Sequence, residues 1–134
     1  MKKRQLGNTQ LHVAPIAFGG NVLGWTTNEK MSFDILDAFT AAGFNLIDTA
    51  DVYSRWGCGV GGESETFIGK WHKKHNNRDK IIIASKGGLD MDKGRAFVTK
   101  KYLLKTCEDS LIRLQTDYID LYQIHWPNPF IDFE

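Results

Sequence analysis

The sequence predicts an α/β fold in which parallel strands alternate with helices. Four apolar runs of strand length lie at about residues 16–18, 44–50, 81–85 and 119–125. Apolar residues at helical spacing occupy the segments between them, so the order reads β, α, β, α, β, α, β. Such alternation implies parallel strands joined by right-handed helical crossovers. Two architectures fit this order, a doubly wound open sheet and part of a (β/α)8 barrel.

A β-hairpin is predicted ahead of these units, over about residues 4–13, because Gly7, Asn8 and Thr9 supply turn residues between apolar positions. The βα units then fill about residues 16–134.

The helices carry start and stop signals. The first is expected to begin at Thr26 or Asn28 as N-cap and to end before Gly43. The second begins near residues 63–65, where two glutamates suit a helix N-terminus, and fades into a polar segment from His72. The third starts at about Thr99. Its apolar residues at helical spacing are Leu103, Leu104, Cys107, Leu111 and Leu114.

Composition excludes several classes of function. A chain of 134 residues suits one domain, residues 1–134, and a net charge of +1 gives no field that attracts nucleic acid or an acidic membrane. No apolar run approaches the roughly 18 residues of a membrane helix. The 2 cysteines, Cys58 and Cys107, lack a metal-type spacing, so we expect a reduced, cytoplasmic protein without a metal site.

One glycine pattern invites a misleading interpretation. Residues 57–62 read Gly-Cys-Gly-Val-Gly-Gly and fit G-x-G-x-x-G. A dinucleotide-binding fingerprint follows its strand directly, and the next strand ends in an acidic residue. Here the strand ends near Ala50 and the next one ends in Lys86. We therefore reject the fingerprint and interpret the segment as a glycine-rich loop.

Four ionisable or polar residues follow the predicted strands at one end of the sheet, namely Asp48, Tyr53, Lys86 and His125. A lysine ammonium near Tyr53 stabilises the phenolate and so makes the tyrosine a better proton donor. An aspartate beside the lysine holds it in place, and a histidine opposite can orient a substrate oxygen. This set delivers a proton but lacks an activated nucleophile. It therefore needs an external hydride, which indicates a nicotinamide cofactor.

Several segments resemble the aldo-keto reductase family, in the family's order. They are residues 43–50 with Tyr53, residues 62–65 with Ile68 and Gly69, Ser85 with Lys86, and residues 110–126. The long glycine-rich loop before Glu63 resembles the bacterial and channel-subunit branches of that family.

The resemblance implies the N-terminal half of a (β/α)8 barrel, floored by the hairpin, and NADPH-dependent reduction of aldehydes or ketones. Tyr53 would be the general acid, tuned by Lys86 and Asp48. His125 would orient the carbonyl of a small substrate. Asp48 would also reach the nicotinamide ribose. The family approaches its cofactor near Gly20 and Asn21. Three tryptophans after the strands, Trp25, Trp56 and Trp126, would wall the substrate pocket.

A (β/α)8 barrel typically needs about 250 residues, roughly twice this chain. In the family, the C-terminal half holds the nicotinamide platform and the site for the adenosine phosphate. A non-catalytic remnant or a regulatory binding module therefore remains an alternative to a reductase. We also expect self-association, because an open half barrel exposes strand edges and apolar surface.

Overall fold

The structure is a computed structural model that describes residues 2–57, 59–90, 95–96, 98–128 and 130. Its strands are β1 (Arg4–Gln5), β2 (His12–Val13), β3 (Ala17–Gly19), β4 (Leu46–Asp48), β5 (Ile82–Gly87), β6 (Leu89–Asp90), β7 (Arg95–Ala96) and β8 (Leu121–Ile124). Its helices are α1 (Glu29–Ala41), α2 (Glu63–His75) and α3 (Lys100–Leu114), with short 3-10 turns at Gly20–Val22 and Arg78–Lys80. This order confirms the predicted hairpin followed by alternating strands and helices.

The central sheet has four parallel strands in the order β3-β4-β5-β8. Each strand therefore pairs with the next one along the main alternation, and the order never reverses. A doubly wound sheet would reverse its order at a switch point. All three helices also meet one apolar cluster on the same side of the sheet. These two observations favour half of a barrel over an open doubly wound sheet.

The core lies between the sheet and the helices. Ile47 of β4 and Ile83 of β5 point into it and are fully buried. Their helical partners are Leu36, Ile68, Trp71 and Leu114. Because side chains alternate along a strand, the residues next to Ile47 and Ile83 point to the opposite, barrel-interior face. That alternation directs Asp48 and Lys86 away from the core.

Capping side chains fix where the helices begin and end. Of the two candidate N-caps for α1, the structure selects Asn28, whose side chain accepts a hydrogen bond of 2.9 Å from the Met31 N–H. Gly43, just past the helix, adopts φ +87°, a left-handed conformation that favours glycine. Thr99 caps α3, as expected from the sequence.

The hairpin of β1 and β2 is tied to the barrel by Asn45. Its side-chain oxygen accepts from the Ala14 N–H at 2.9 Å, and its amide donates to the His12 carbonyl at 3.0 Å. Asn45 is buried at the start of the second barrel strand. The hairpin consequently closes the end of the sheet opposite Asp48 and Lys86.

Three details differ from the sequence predictions. Strands β4 and β8 are shorter than the predicted strands at residues 44–50 and 119–125. Before β8, the Asp120 carboxylate accepts a hydrogen bond from the Ile83 N–H, which a strand carbonyl would otherwise accept. Helix α2 runs beyond His72 to His75. A second antiparallel pair, β6 with β7, lies in the segment expected to be a plain loop. Gly88 at φ +92° turns the chain into it.

No helix in the described part of the chain is long and apolar enough to cross a membrane.

Candidate active site

The carboxyl ends of β4 and β5 place two of the candidate residues side by side. In the parallel register, Asp48 pairs with Ala84, two residues before Lys86. The Lys86 ammonium lies 2.7 Å from Asp48 Oδ1, and the Lys86 side chain is largely screened from solvent. The predicted pairing of Asp48 with Lys86 is therefore present in the structure.

The Lys86 ammonium has three N–H donors, and the structure gives each of them an acceptor. Besides Asp48, Lys86 Nζ donates to the Thr49 carbonyl at 2.8 Å and to the Tyr53 hydroxyl at 3.0 Å. The Thr49 carbonyl was not anticipated, because a main-chain acceptor leaves no signal in a residue pattern. Three acceptors hold the charge in one position against the phenol.

Tyr53 lies just beyond β4, and its hydroxyl completes the arrangement. The hydroxyl accepts from Lys86 and donates to Asp48 Oδ2 at 3.1 Å. Lys86 Nζ also lies 4.7 Å from the centre of the Tyr53 ring. The oxygen that carries the Tyr53 proton thus lies between a fixed ammonium and a carboxylate.

His125 follows β8, and its ring faces the tyrosine. The two ring centres are 5.9 Å apart, at 77°. The His125 N–H donates to the Gly87 carbonyl at 2.8 Å, which fixes the backbone beside β5. Burial lowers the pKa of His125, and the Lys86 ammonium lowers it further, whereas Asp48 opposes both. The ring is therefore neutral at physiological pH, with a buried Nδ1 that has no hydrogen-bond partner among the described residues.

One of the three predicted tryptophans contacts the Tyr53 ring, and a second packs against the first. Trp56 lies 5.9 Å from the Tyr53 ring, and Trp25 lies edge-on to Trp56 at 6.0 Å. Trp25 and Trp56 are 45% and 46% exposed, so each presents an open face beside the proton donor. Trp126 follows His125 and is 59% exposed. The structure thus brings Trp25 and Trp56 together, and no ring contact joins Trp126 to them among the described residues.

Gly20 and Asn21, the two residues predicted to lie near a cofactor, have different surroundings. Gly20 is buried, and a Cβ there would lie 2.8 Å from the Asp48 carbonyl and 2.8 Å from Ser64 Oγ. Packing alone therefore requires a glycine at that position. Asn21 is half-buried, and its Oδ1 lies beside Gly19, which pairs with Asp48 across β3 and β4. Their roles in cofactor binding remain predictions.

One side chain at this end has the chemistry to hold a ribose. The Asp48 carboxylate is about one third exposed and can accept a hydrogen bond from a ribose hydroxyl. The exposed backbone of Gly19 lies next to it in the sheet.

The described residues of the glycine-rich loop do not offer a phosphate cradle. The Glu63 carboxylate accepts from the N–H groups of Val60 at 2.6 Å and Gly61 at 3.0 Å. These donors are consequently occupied by a carboxylate of the chain itself. Cys58 lies outside the described residues.

Metal binding also finds no support within the described residues, where no group of three or more His, Cys, Asp or Glu side chains is arranged to hold an ion. His72 is buried, and its Nε2 lies 2.7 Å from the Leu114 carbonyl. This contact joins α2 to the end of α3.

A second charged cluster, missed by the sequence analysis, lies on the helix side of the sheet. The Glu65 side chain of α2 has 0% exposure, and its Oε2 lies 2.7 Å from Arg113 Nε of α3. Ser85, the residue before Lys86, donates its hydroxyl to the other Glu65 oxygen. Asp51 lies close enough for its carboxyl to respond to both charges. In the sequence, the only signal of this cluster was Asp51, an acidic residue three positions after Asp48.

Comparison with known sequences gives consistent matches. The sequence model of the Aldo/keto reductase family matches residues 15–134. The chain is 36% identical to Aldo-keto reductase YhdN of Bacillus subtilis, over 100% of this chain and 40% of that protein. It is 54% identical to an uncharacterized 11.2 kDa protein of Pseudescherichia vulneris, over 68% of this chain and 90% of that protein.

Solved structures agree with the sequence matches. The aldo-keto reductase AKR11C1 of Bacillus halodurans, in its holo form, superposes with a TM-score of 0.82 at 42% identity. The match covers 96% of this chain and 41% of that one. The chain thus spans about two fifths of the length of YhdN and of this structure. The predicted N-terminal half of a (β/α)8 barrel is confirmed.

Proposed function

The chain belongs to the aldo/keto reductase family, and on this premise we propose that it carries the proton-donating half of an NADPH-dependent reduction of aldehydes or ketones. The observation that supports this proposal best is the contact of one phenol with both a fixed ammonium and a carboxylate. Lys86 Nζ lies 3.0 Å from the Tyr53 hydroxyl and 2.7 Å from Asp48. In the proposed reaction, the ammonium stabilises the charge left on the phenol oxygen when its proton is transferred to the substrate.

The reduction divides between a cofactor and the residues of this chain. The bound cofactor supplies a hydride to the carbonyl carbon. Neutral His125 donates one ring N–H to the carbonyl oxygen and so orients the substrate. Tyr53 turns its O–H from Asp48 towards that oxygen and transfers the proton as the alkoxide develops. Lys86 stabilises the resulting phenolate until solvent returns a proton.

The tryptophans indicate the class of substrate. Trp25 and Trp56 form an edge-on pair next to Tyr53, with nearly half of each side chain exposed. An aromatic ring in the substrate would find offset or edge-on partners on these faces. We therefore place Trp25, Trp56 and Trp126 along a pocket for small aromatic carbonyl compounds. The cytoplasm is the compartment we assign, since it supplies the reduced cofactor.

The proposal is tested by mixing the 134-residue chain with NADPH and a benzaldehyde and following the absorbance of the reduced nicotinamide. The same assay is run on a chimera in which this chain replaces the matching N-terminal two fifths of YhdN, so that a complete barrel surrounds Tyr53. We expect aldehyde-dependent oxidation in the chimera, with NADH and an aldehyde-free mixture as controls. A folded chimera that binds NADPH without oxidising it would contradict the proposal.

Self-association is a further expectation that the sheet supports. Strands β3 and β8 are the two ends of the described sheet, so each leaves one row of backbone groups unpaired. Apolar side chains near β8 are also exposed, including Ile124 and Leu104. We expect the purified chain to elute from size-exclusion chromatography as a dimer or larger species, and a cooperative, stable monomer would contradict this. Substituting Ile124 with Pro should weaken the association, because the Ile124 N–H faces the open edge, whereas its neighbour His125 donates to β5.

A further inference from the structure

The buried cluster of Asp51, Glu65 and Arg113 lies directly behind the proton donor and has no part in the reaction steps above. Glu65 is completely buried, with Arg113 on one carboxylate oxygen and Ser85 on the other. Ser85 precedes Lys86, and Asp51 lies two residues before Tyr53. The cluster therefore contacts the chain beside both residues that handle the proton.

Asp51 is fixed to the sheet through its main chain rather than its side chain. Its N–H donates to the Lys86 carbonyl at 3.1 Å, while its Oδ1 is buried without a hydrogen-bond partner among the described residues. The loop then folds back over it. Gly62 N–H donates to the Tyr53 carbonyl at 3.2 Å, and a Cβ at Gly61 would lie 3.3 Å from the Asp51 carbonyl. Main-chain contacts thus join the surroundings of Asp51 to the segment that carries the phenol.

Ionisation of Asp51 places a second carboxylate near the Glu65–Arg113 pair. Arg113 already donates to Glu65, and its charge acts on Asp51 without an ion pair between the two in the described part of the chain. Burial raises the pKa of Asp51 to about 7, the Glu65 carboxylate adds to the rise, and Arg113 only partly opposes it. The other ionisable groups that face Asp51 from the described elements are Arg55 on its own loop, Tyr102 and Asp109 on α3, and Tyr122 on β8.

A small polar cavity gives the Asp51 carboxyl access to protons. It has a volume of about 190 Å³ and is lined by Asp51, Arg55, Tyr102, Asp109 and Arg113 among others. This space exceeds what a single water molecule needs, and its walls carry polar partners for several. Asp51 can therefore exchange its proton without unfolding the loop.

We propose that Asp51, Glu65 and Arg113 form a positioning cluster that holds the Tyr53 loop, so that protonation of Asp51 alters the hydrogen bonds of the proton donor. With Asp51 neutral, Arg113 and Glu65 pair undisturbed and the loop stays on β5. With Asp51 ionised, the carboxylates repel and compete for Arg113, and the segment from Asp51 to Tyr53 shifts relative to Lys86. This inference rests on the proposed role of Tyr53 and adds a pH response to it.

The test uses NMR of the full chain labelled at tyrosine Cζ, because this signal reports the hydrogen bonds of the phenol without any turnover. The Tyr53 signal is assigned with a Tyr53→Phe variant and followed across neutral pH. We expect a step near pH 7, where Asp51 titrates. The step should disappear in Asp51→Asn and persist in Asp109→Asn, which removes a carboxylate from the same cavity. His125 titrates below its ordinary pKa, so any step it causes lies on the acid side and survives in Asp51→Asn.

Two outcomes would overturn the proposal: a wild-type Tyr53 signal without a step near neutrality, and an unchanged step in folded Asp51→Asn. Should that variant fail to fold, Asp51→Glu takes its place, since a longer carboxyl must move the step if the proposal holds. In the active chimera, Asp51→Asn should remove the matching inflection from the kcat profile and leave KM unchanged. The two proposals can fail separately. If the wild-type step is present and disappears in Asp51→Asn, but the chimera has no reductase activity, the positioning cluster is supported and the proposed function is contradicted.

Discussion

A Tyr53→Phe variant should lose about 10²–10⁴-fold in the rate of carbonyl reduction, the range that a positioned general acid contributes. The substitution removes only the hydroxyl that contacts Lys86 at 3.0 Å and Asp48 at 3.1 Å. The aromatic ring stays, and with it the contact to Trp56. Binding of NADPH should consequently remain close to that of the parent, since no cofactor contact of Tyr53 is proposed.

The measurement compares kcat for the chimera with and without this change, together with NADPH affinity by fluorescence titration. Tyr118→Phe is the matched control, because it removes a hydroxyl of the same kind at the opposite end of the sheet, where the ring packs on Arg78. It should leave kcat unchanged. If Tyr53→Phe keeps more than a tenth of the parent activity, another group delivers the proton and the assigned acid is wrong.

The sequence was sufficient to predict which side chains lie at the carboxyl ends of the strands. Asp48 and Lys86 each end an apolar run, and parallel strands bring such positions to one edge of the sheet. Alternation along each strand then places both side chains on the face away from the helices. Both properties follow from local periodicity. The sequence could therefore predict that Asp48 and Lys86, which are 38 positions apart, lie together, and the structure places them at 2.7 Å.

Contacts between helices and loops were not accessible in the same way. Arg113 and Glu65 are 48 residues apart, each lies in an ordinary amphipathic helix, and helical spacing does not specify which turn of α3 meets which turn of α2. The loop from Asp51 to Gly62 has no periodicity at all, so its return over Asp51 could not be inferred. Gly20 illustrates a related limit, because a glycine required by packing and one required by a ligand look identical in a sequence.

Replacing Arg113 with Ala should destabilise the fold by about 3–5 kcal/mol, the usual cost of removing one partner of a buried ion pair. Glu65 would remain at 0% exposure with its charge uncompensated. The value should fall near the lower end, because the Arg113 side chain is itself 27% exposed and water can partly replace it. Urea denaturation at one fixed protein concentration measures the change, since association would otherwise alter the apparent stability.

Two further variants distinguish the cost of an unpaired Glu65 charge from the cost of losing a long side chain on α3. Lys105→Ala removes a cation from the same helix, but its partner Asp109 is exposed, so it should cost only about 0.3–0.5 kcal/mol. Adding Glu65→Gln to Arg113→Ala should recover part of the loss, because a neutral amide can still accept from the Ser85 hydroxyl. If Glu65→Gln gives no recovery, the cost of Arg113→Ala comes from lost packing against Gly62 rather than from an unpaired buried charge.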